Sequence, residues 1–226
     1  MTMKLPVAKY AGAEIALMMI ITVITGYVFL KTFPFLIILP LLILGFTFYF
    51  FRDPERKIPE DSESIVSAAD GKIIEIMDVN EESFLKEPAV KITVFLSVFN
   101  VHINRAPYAG RVVMIDYRKG KFLVAHRPEA SDQNERNSVG FIGASGVKVL
   151  VKQIAGIIAP RIVCDVAVNQ DIQKGQRIGM IKFGSRTEIF IPKNRIEKIS
   201  VLMGDKVKGG ETILGLLKNE SKTKEN

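Results

Sequence analysis

The chain has 226 residues, of which 48% are hydrophobic and 24% charged, and its formal net charge is +7. This composition excludes a disordered protein, and the single cysteine, Cys164, excludes an intrachain disulfide and a cysteine-based zinc site. The presence of only two histidines argues against a histidine-rich metal centre.

The hydrophobic residues are concentrated near the N-terminus. Two apolar stretches, Ala13–Leu30 and Phe35–Phe51, contain Glu14 as their only charged side chain, and Pro34 between them would break a continuous helix. Each stretch is close to the shortest that spans a hydrocarbon core about 30 Å thick. We therefore expect residues 1–51 to form a membrane-associated hairpin of two helices. A signal peptide is disfavoured because no small-residue cleavage site follows the first stretch, and helices of a soluble core are rarely this apolar.

Basic residues indicate how this hairpin is oriented. Its connection carries a single lysine, Lys31. The flanking segments carry Lys4 and Lys9 before the hairpin and Arg52, Arg56 and Lys57 after it. Because basic residues are retained on the cytoplasmic side, both ends are predicted to lie there. The rest of the chain would then be held at the cytoplasmic face of the cell membrane.

After the polar segment Arg52–Pro59, the sequence changes to short runs rich in valine and isoleucine. These runs are Ser64–Asp78, Ala89–Phe99, Arg111–Tyr117, Gly146–Gly156, Arg161–Val168 and Gln176–Phe183. Glycine-containing turns separate them, a pattern typical of a β-sandwich or barrel. The predicted fold class is therefore mainly β, with a β-rich domain over residues 52–218 and a polar tail over 219–226. A short helix is expected within Glu129–Asn137.

Two segments of this domain resemble each other. Asp171–Ile181 and Asp205–Gly215 share a strand–turn–strand phrase that also occurs in lipoyl and biotinyl modules. The lysine phrase that carries the cofactor in those modules is absent, so the echo is interpreted as architectural. It leaves open an alternative function, that of a membrane-anchored, non-catalytic adaptor. A nucleic-acid partner is disfavoured because the basic residues are scattered and no aromatic-rich basic motif accompanies them.

Polar residues interrupt the apolar runs at four places: Asp70 before Gly71, His102, the tetrad Asn134–Asn137, and Ser185 after Gly184. Each has an ordinary structural interpretation, and Asp-Gly is the commonest hairpin turn. Together they supply one aspartate, one histidine and one serine from separate segments. These are the residue types of a base-activated serine nucleophile.

Five motifs in order resemble those of the short phosphatidylserine decarboxylases. They are Ser67-Ala-Ala-Asp-Gly-Lys, Phe99-Asn-Val-His-Ile-Asn-Arg-Ala-Pro, Asn134-Glu-Arg-Asn-Ser, Val151-Lys-Gln-Ile-Ala-Gly and Ile181-Lys-Phe-Gly-Ser-Arg. The apolar hairpin and the Phe51-Arg-Asp-Pro-Glu-Arg phrase match as well. The resemblance covers residues 12 to 215, nearly the whole chain.

The resemblance implies a proenzyme that cuts itself between Gly184 and Ser185. The products would be a β chain of residues 1–184 and an α chain of residues 185–226, which stay associated. Ser185 would attack the Gly184 carbonyl, assisted by His102 and Asp70 as a triad in which Asp70 orients the imidazole. Ser185 would end as a pyruvoyl group, the covalent cofactor, and no metal is implied.

In this family the pyruvoyl ketone forms a Schiff base with the serine amine of the lipid and accepts electrons as CO₂ leaves. The implied substrate is phosphatidylserine in the membrane or an ether-lipid analogue such as archaetidylserine, since both present the same serine headgroup. The product is the ethanolamine phospholipid. An uncovered β-edge would also allow a homo-oligomer.

One position departs from the longer bacterial relatives, which carry a second histidine where this chain has Arg105. Arg105 is therefore a candidate for binding the lipid phosphate, with a structural ion pair as the alternative. Asn134 and Arg136 are further substrate-binding candidates. His126 matches none of these motifs and is expected on the surface.

Overall fold

The computed structural model describes residues 7–121, 123–124, 129–143, 146–156, 162–182 and 184–218. The chain divides into two units, of which the first ends at Glu55 and the second begins at Arg56. The predicted polar tail 219–226 lies outside the described residues, as do Lys4 and His126.

Two apolar helices form the first unit: α1, Gly12–Thr32, and α2, Ile38–Phe50. Short 3-10 turns precede them, at Lys9–Ala11 and Pro34–Ile37. The segment Lys9–Thr32 is long and apolar enough to cross a membrane, whereas the apolar segment Pro34–Phe50 is shorter. The unit therefore contains the predicted pair of helices, interrupted at Pro34.

The two ends of this hairpin lie side by side. The Ala8 N–H donates to the Phe51 carbonyl at 2.8 Å, and Val7 forms an antiparallel bridge with Arg52. Within α1 the hydroxyls of Thr22 and Thr25 each donate to the carbonyl four residues earlier, both at 2.7 Å. Their polar groups are thus satisfied inside the helix, as an apolar environment requires.

The second unit is built mainly of antiparallel strands. Their bounds are β1 Ser64–Val66, β2 Gly71–Glu81, β3 Glu87–Leu96, β4 Ile103–Arg105, β5 Gly110–Arg118, β6 Arg136–Ile142, β7 Lys148–Ile154, β8 Ile162–Cys164, β9 Asp171–Ile172, β10 Arg177–Ile181, β11 Ser185–Pro192, β12 Ile196–Ile199, β13 Lys206–Val207 and β14 Ile213–Leu217. A short helix, α3, covers Ala130–Gln133, and a 3-10 turn covers Lys193–Arg195. The prediction of a mainly β fold preceded by apolar helices is therefore confirmed.

The strands form one large sheet and two small ones. The large sheet has eight strands in the order β13-β2-β3-β11-β7-β6-β5-β9, and the small sheets have the orders β4-β10-β8 and β1-β14-β12. Strand β11 lies between β3 and β7, and all of its residues are buried. Its alternate residues Ile189 and Ile191 join the main hydrophobic core, whereas Phe190 packs in a second cluster on the opposite face.

Two predictions made from local sequence, a single strand over Ser64–Asp78 and a hairpin turn at Asp70-Gly71, are wrong. The run Ser64–Asp78 is not one strand, because its first part pairs in a small sheet and the rest begins β2 of the large sheet. The Asp70-Gly71 pair is consequently not a hairpin turn. Gly71 starts β2 where a Cβ would lie only 2.1 Å from the Phe95 carbonyl oxygen, so close strand packing requires the glycine there.

The two echo segments are strand–turn–strand units, as predicted, but neither is a hairpin. Each joins a strand of the large sheet to a strand of a small sheet, β9 to β10 and β13 to β14. Their turn glycines Gly175 and Gly210 both have positive φ, +76° and +79°. The repeated sequence pattern therefore forms the same kind of connection between two sheets in both segments.

Candidate active site

The candidate nucleophile is the first residue of β11, one of the two central strands of the eight-stranded sheet. Ser185 is fully buried and pairs with Leu96 across β11 and β3. Its Oγ has no hydrogen-bond partner among the residues that the structure describes. A buried hydroxyl left in this way costs about 1–3 kcal/mol, so the arrangement needs an explanation other than stability.

Gly184 gives the backbone before Ser185 an uncommon conformation. Its φ is +48°, in the left-handed region that favours glycine. Apart from its chain neighbours, no described residue has an atom within 4 Å of a Cβ built at this position. The conformation, rather than a lack of space, is what calls for glycine at 184, and it leaves the 184–185 peptide unit unobstructed by a side chain on its N-terminal side.

The imidazole of His102 is fully buried just before β4. Its Nδ1 lies 3.0 Å from the Asn100 carbonyl oxygen. Since a carbonyl only accepts, this contact assigns a proton to Nδ1, and in the neutral ring Nε2 is then the basic nitrogen. The His102 carbonyl accepts from the Ile181 N–H at 3.2 Å, which ties this segment to the strand that leads to Gly184.

A side-chain contact joins the segments that carry His102 and Ser185. Asn104, two residues after His102, donates through Nδ2 to the Thr187 Oγ1 at 2.8 Å. Thr187 in turn lies two residues after Ser185, on the same face of β11. The two predicted site residues therefore lie on segments that meet in the fold.

Asp70 was expected to contact the His102 imidazole, but its carboxylate binds other groups. Its carboxylate accepts two hydrogen bonds from Arg56 Nη2, at 2.9 and 2.8 Å, and one from the Gly209 N–H at 2.8 Å. Within the described part of the chain these are the hydrogen bonds of this carboxylate, so the expected direct bond from Asp70 to the His102 imidazole is absent. The three contacts fix the Asp70 side chain at the start of β2, and its part in the chemistry stays a prediction.

A chain of buried amides lies beside Ser185 and was missed by sequence reasoning. Asn137 donates to Gln153 at 2.9 Å, Gln153 donates to Asn104 at 2.9 Å, and Asn104 donates to Thr187. All four side chains are at most 1% exposed. Because each amide donates with its nitrogen and accepts with its oxygen, the chain has one direction and ends on the Thr187 hydroxyl oxygen. The polar residue Gln153 inside the strand-forming run Gly146–Gly156 was the one feature of that run that could have indicated this chain.

The predicted substrate-binding residues have structural contacts. Asn134 is fully buried and bonds to the backbone of Leu123 and Ala155, each at 2.8 Å. Arg136 donates to the Asp132 carbonyl at the end of α3. These contacts use both N–H groups of the Asn134 amide and one acceptor position of its oxygen, so they support a structural role for it.

Arg105 is also buried, and its Nη1 donates to the Gly175 carbonyl at 3.0 Å. That carbonyl belongs to the turn of the first echo segment, and a Cβ on Gly210 in the second echo turn would lie 3.0 Å from the Arg105 Cδ. Arg105 therefore packs where the two echo turns meet. A role in phosphate binding stays a prediction.

The opposite face of β11 carries a buried ion pair. Arg186 Nη2 lies 3.1 Å from Glu188 Oε1, with both side chains less than 5% exposed, and both bond to the Ser131 hydroxyl on α3. Nearby, burial alone would raise the pKa of Glu75, but hydrogen bonds from Lys91 and Thr93 outweigh it and lower this pKa. The strand that begins with Ser185 is thus held from both faces. Among the described residues there is no cluster of three or more metal-binding side chains.

Comparisons with known proteins agree with this arrangement of motifs. The family model of phosphatidylserine decarboxylase matches residues 43–215. A phosphatidylserine decarboxylase proenzyme of Carboxydothermus hydrogenoformans is 50% identical over 181 residues, which are 80% of this chain and 84% of that protein. One from Syntrophus aciditrophicus is 48% identical, over 79% of this chain and 83% of that protein.

A third proenzyme of the same name, from Syntrophotalea carbinolica, is 42% identical over 207 residues. The match covers 86% of this chain and 96% of that protein, so it extends the similarity into the apolar N-terminal unit. The resemblance seen in the five motifs is therefore a relationship over most of the chain. The protein belongs to the phosphatidylserine decarboxylase family.

Proposed function

We propose that the protein is a self-processing, pyruvoyl-dependent decarboxylase that converts phosphatidylserine, or an ether-linked analogue, to the ethanolamine phospholipid and CO₂. The observation that carries this proposal is the buried Ser185 hydroxyl, which has no hydrogen-bond partner among the described residues. Ser185 follows Gly184, whose backbone is in the left-handed region. The relatives of this chain are named proenzymes, which supports self-processing.

Self-cleavage would begin with attack of the Ser185 Oγ on the Gly184 carbonyl carbon. The peptide C–N bond breaks, an ester forms, and the Ser185 amine is released. Serine is a weak nucleophile at its ordinary pKa, so a base must remove the hydroxyl proton. His102 Nε2 is suited to take this proton and to deliver it to the leaving amine, because the Asn100 carbonyl holds the ring by Nδ1.

The second stage separates the two chains. Loss of the Ser185 Cα proton breaks its Cβ–Oγ bond and releases the Gly184 carboxylate. The dehydroalanine left on residue 185 takes up water and releases ammonia, which leaves a pyruvoyl group at the start of residues 185–226. Residues 1–184 and 185–226 stay together because β11 pairs with β3 and β7, both of the first chain.

The residues around Ser185 fit this group. It is small, uncharged and attached to a strand fixed by the Thr187 amide chain on one face and by the Arg186–Glu188 pair on the other. Its ketone supplies an electron sink for the pair released with CO₂. His102 could hold or deliver the proton that replaces the carboxylate on the substrate carbon.

We further propose that the apolar hairpin attaches the protein to the cell membrane, with the β-rich unit on the cytoplasmic face. Support comes from the length and hydropathy of Lys9–Thr32, from the adjacent hairpin ends and from the basic flanking residues. A phospholipid headgroup at the bilayer surface would then be within reach.

The proposal is tested by intact mass under denaturing conditions. We expect the wild type to give two fragments that meet between Gly184 and Ser185, with the smaller one blocked and lacking ammonia relative to a serine N-terminus. Ser185→Ala should stay whole. Ser138→Ala, which removes another buried strand serine, is the matched control and should be cut like the wild type.

An intact wild-type chain after maturation would overturn self-processing and revive the adaptor interpretation. Once cleavage is established, CO₂ release from vesicles of phosphatidylserine and from vesicles of archaetidylserine identifies the lipid backbone. A cleaved protein that releases CO₂ from neither would overturn the decarboxylase activity.

A further inference from the structure

The turn between β12 and β13 exposes two large apolar side chains. Leu202 is 74% exposed and Met203 is 67% exposed. In the described part of the unit that begins at Arg56, they are the two most exposed large apolar side chains. Single exposed apolar residues are ordinary on a protein surface, whereas an adjacent pair at a turn forms a contiguous patch.

The turn is rigidly built, so this exposure is imposed by the fold. The Leu202 N–H donates to the Asp205 carboxylate at 2.8 Å, and the Asp205 N–H donates to the Leu202 carbonyl at 3.2 Å. Gly204 has a φ of +97°, and its N–H donates to the Ile73 carbonyl of β2 at 2.8 Å. The two side chains are thus held out from the edge of the eight-stranded sheet.

Two lysines flank the turn. Lys206 of β13 is directly opposite Lys72 of β2, and both are exposed. The Lys72 Cε would lie 3.9 Å from a Cβ on Gly204, so its side chain runs beside the turn. Like charges directly opposite each other across a strand pair are destabilising, and a bound anion would relieve this. The Asp205 carboxylate is turned toward the backbone of its own turn.

We propose that Leu202 and Met203 form a second membrane contact, in which they enter the interface of an anionic phospholipid layer while Lys72 and Lys206 contact the headgroup phosphates. Apolar residues with adjacent lysines are the composition of interfacial membrane-binding elements. This inference rests on the proposed attachment to the membrane, and it is independent of the proposed chemistry.

The contact would bring the segment that binds Asp70 close to the lipid surface. The segment that carries the turn continues through β13 to Gly209, whose N–H binds the Asp70 carboxylate. Val207 of β13 pairs with Gly71, the residue after Asp70. A turn anchored in the lipid surface thus belongs to the same short segment that holds a site residue.

The test is a fluorescent label on the full-length protein reconstituted in vesicles. In a Cys164→Ser background, Met203→Cys is labelled with the polarity-sensitive dye NBD. Val168→Cys is the matched control, because Val168 is 49% exposed in the turn that precedes β9, the opposite edge strand of the large sheet. The vesicles contain phosphatidylcholine, with or without phosphatidylglycerol, an anionic lipid without a serine headgroup.

We expect the emission at position 203 to shift to shorter wavelength in phosphatidylglycerol vesicles and to be quenched by a quencher on the lipid chains, with neither change at position 168. Lys72→Gln with Lys206→Gln should reduce the shift. Equal emission at the two positions, while the protein co-floats with the vesicles, would overturn the contact alone. An emission shift that depends on protein concentration and not on lipid would indicate that the turn binds a second copy of the chain, and it would also overturn the lipid contact. Protein that fails to float would overturn membrane attachment together with the contact, without bearing on self-cleavage.

Discussion

Arg56 lies against Asp70 with one guanidinium nitrogen, Nη2, 2.9 and 2.8 Å from the two carboxylate oxygens. The two side chains are only 6% and 13% exposed. Arg56 is the first residue of the β-rich unit. Asp70 directly precedes β2, which pairs with β3, the strand that leads toward His102. The segment that follows the apolar hairpin therefore fixes a candidate catalytic carboxylate.

Removal of Arg56 should destabilise the protein strongly. Arg56→Ala leaves a largely buried carboxylate without its cation, and breaking a buried pair in this way costs about 3–5 kcal/mol. Urea unfolding in the Ser185→Ala background, which keeps the chain whole, measures the change. Arg111→Ala is the control, because it removes a similar pair with Asp171 in which both side chains are more than half exposed. Equal effects of the two substitutions would contradict the importance of the Arg56–Asp70 pair.

Gly184→Ala should fold normally and cut itself more slowly. Alanine in the left-handed conformation costs about 1–2 kcal/mol, so the reactive backbone would be populated roughly 5- to 30-fold less. The cleavage rate from a gel time course is the readout, and Gly184→Asn should lie closer to wild type since asparagine tolerates this conformation.

Gly146→Ala provides the comparison for this substitution. Gly146 also has positive φ, +73°, and a Cβ there also meets no atom of a described residue within 4 Å, its chain neighbours aside. It should lose a similar amount of stability without a change in cleavage. If Gly184→Ala matures at the wild-type rate, the conformation at 184 is not part of the reaction.

Glu81 should make stability depend on acid pH. Burial alone raises its pKa, but hydrogen bonds from the Ser83 hydroxyl and from the N–H groups of Ser83, Phe84 and Leu85 outweigh this and lower the pKa below 4.5. A carboxyl whose pKa is lower in the folded state binds more protons when unfolded. Its contribution is present above pH 4.5 and is lost as the pH falls through the lower folded value.

Glu81→Gln should therefore lower the free energy of unfolding at neutral pH and make it fall less between pH 4.5 and pH 3. Unfolding curves at several pH values measure both effects. Glu82→Gln, a change at the exposed neighbour, should alter neither. A wild-type pH profile in Glu81→Gln would show that these hydrogen bonds do not favour the ionised carboxylate.

The buried amide chain should support both stability and maturation. Gln153→Ala removes the acceptor of the Asn137 Nδ2 and the donor to the Asn104 Oδ1, at about 1–3 kcal/mol for each unsatisfied group. It should also slow self-cleavage, since Asn104, which donates to Thr187, loses the hydrogen bond from Gln153 that orients it. Gln133→Ala removes an amide that bonds to Lys121 at the surface and should leave both quantities unchanged. Normal cleavage in a destabilised Gln153→Ala would restrict the amide chain to folding.

The apolar hairpin, the mainly β fold class and the family can be predicted without the structure. These follow from local properties: the length of the apolar stretches, the alternation of polar and apolar residues in segments such as Lys91–Val94, and ordered motifs in which Ser185 follows a glycine. Each can be identified without knowing what lies opposite in the fold. Ser185, His102 and Asp70 were accordingly singled out as residue types before any contact was known.

The hydrogen-bond and ion-pair partners of these residues become visible in the fold. Asp70 and Arg56 are separated by fourteen residues, and Asn104 and Thr187 by eighty-three, so no local pattern relates them. The strand β11 was missed because Arg186 and Glu188 interrupt its apolar pattern, and only the fold pairs these two charges with each other and with Ser131. The hydrogen bonds and ion pairs of buried polar groups join strands that are far apart in sequence. Which groups become partners is therefore decided by how the strands pack, and no local pattern records it.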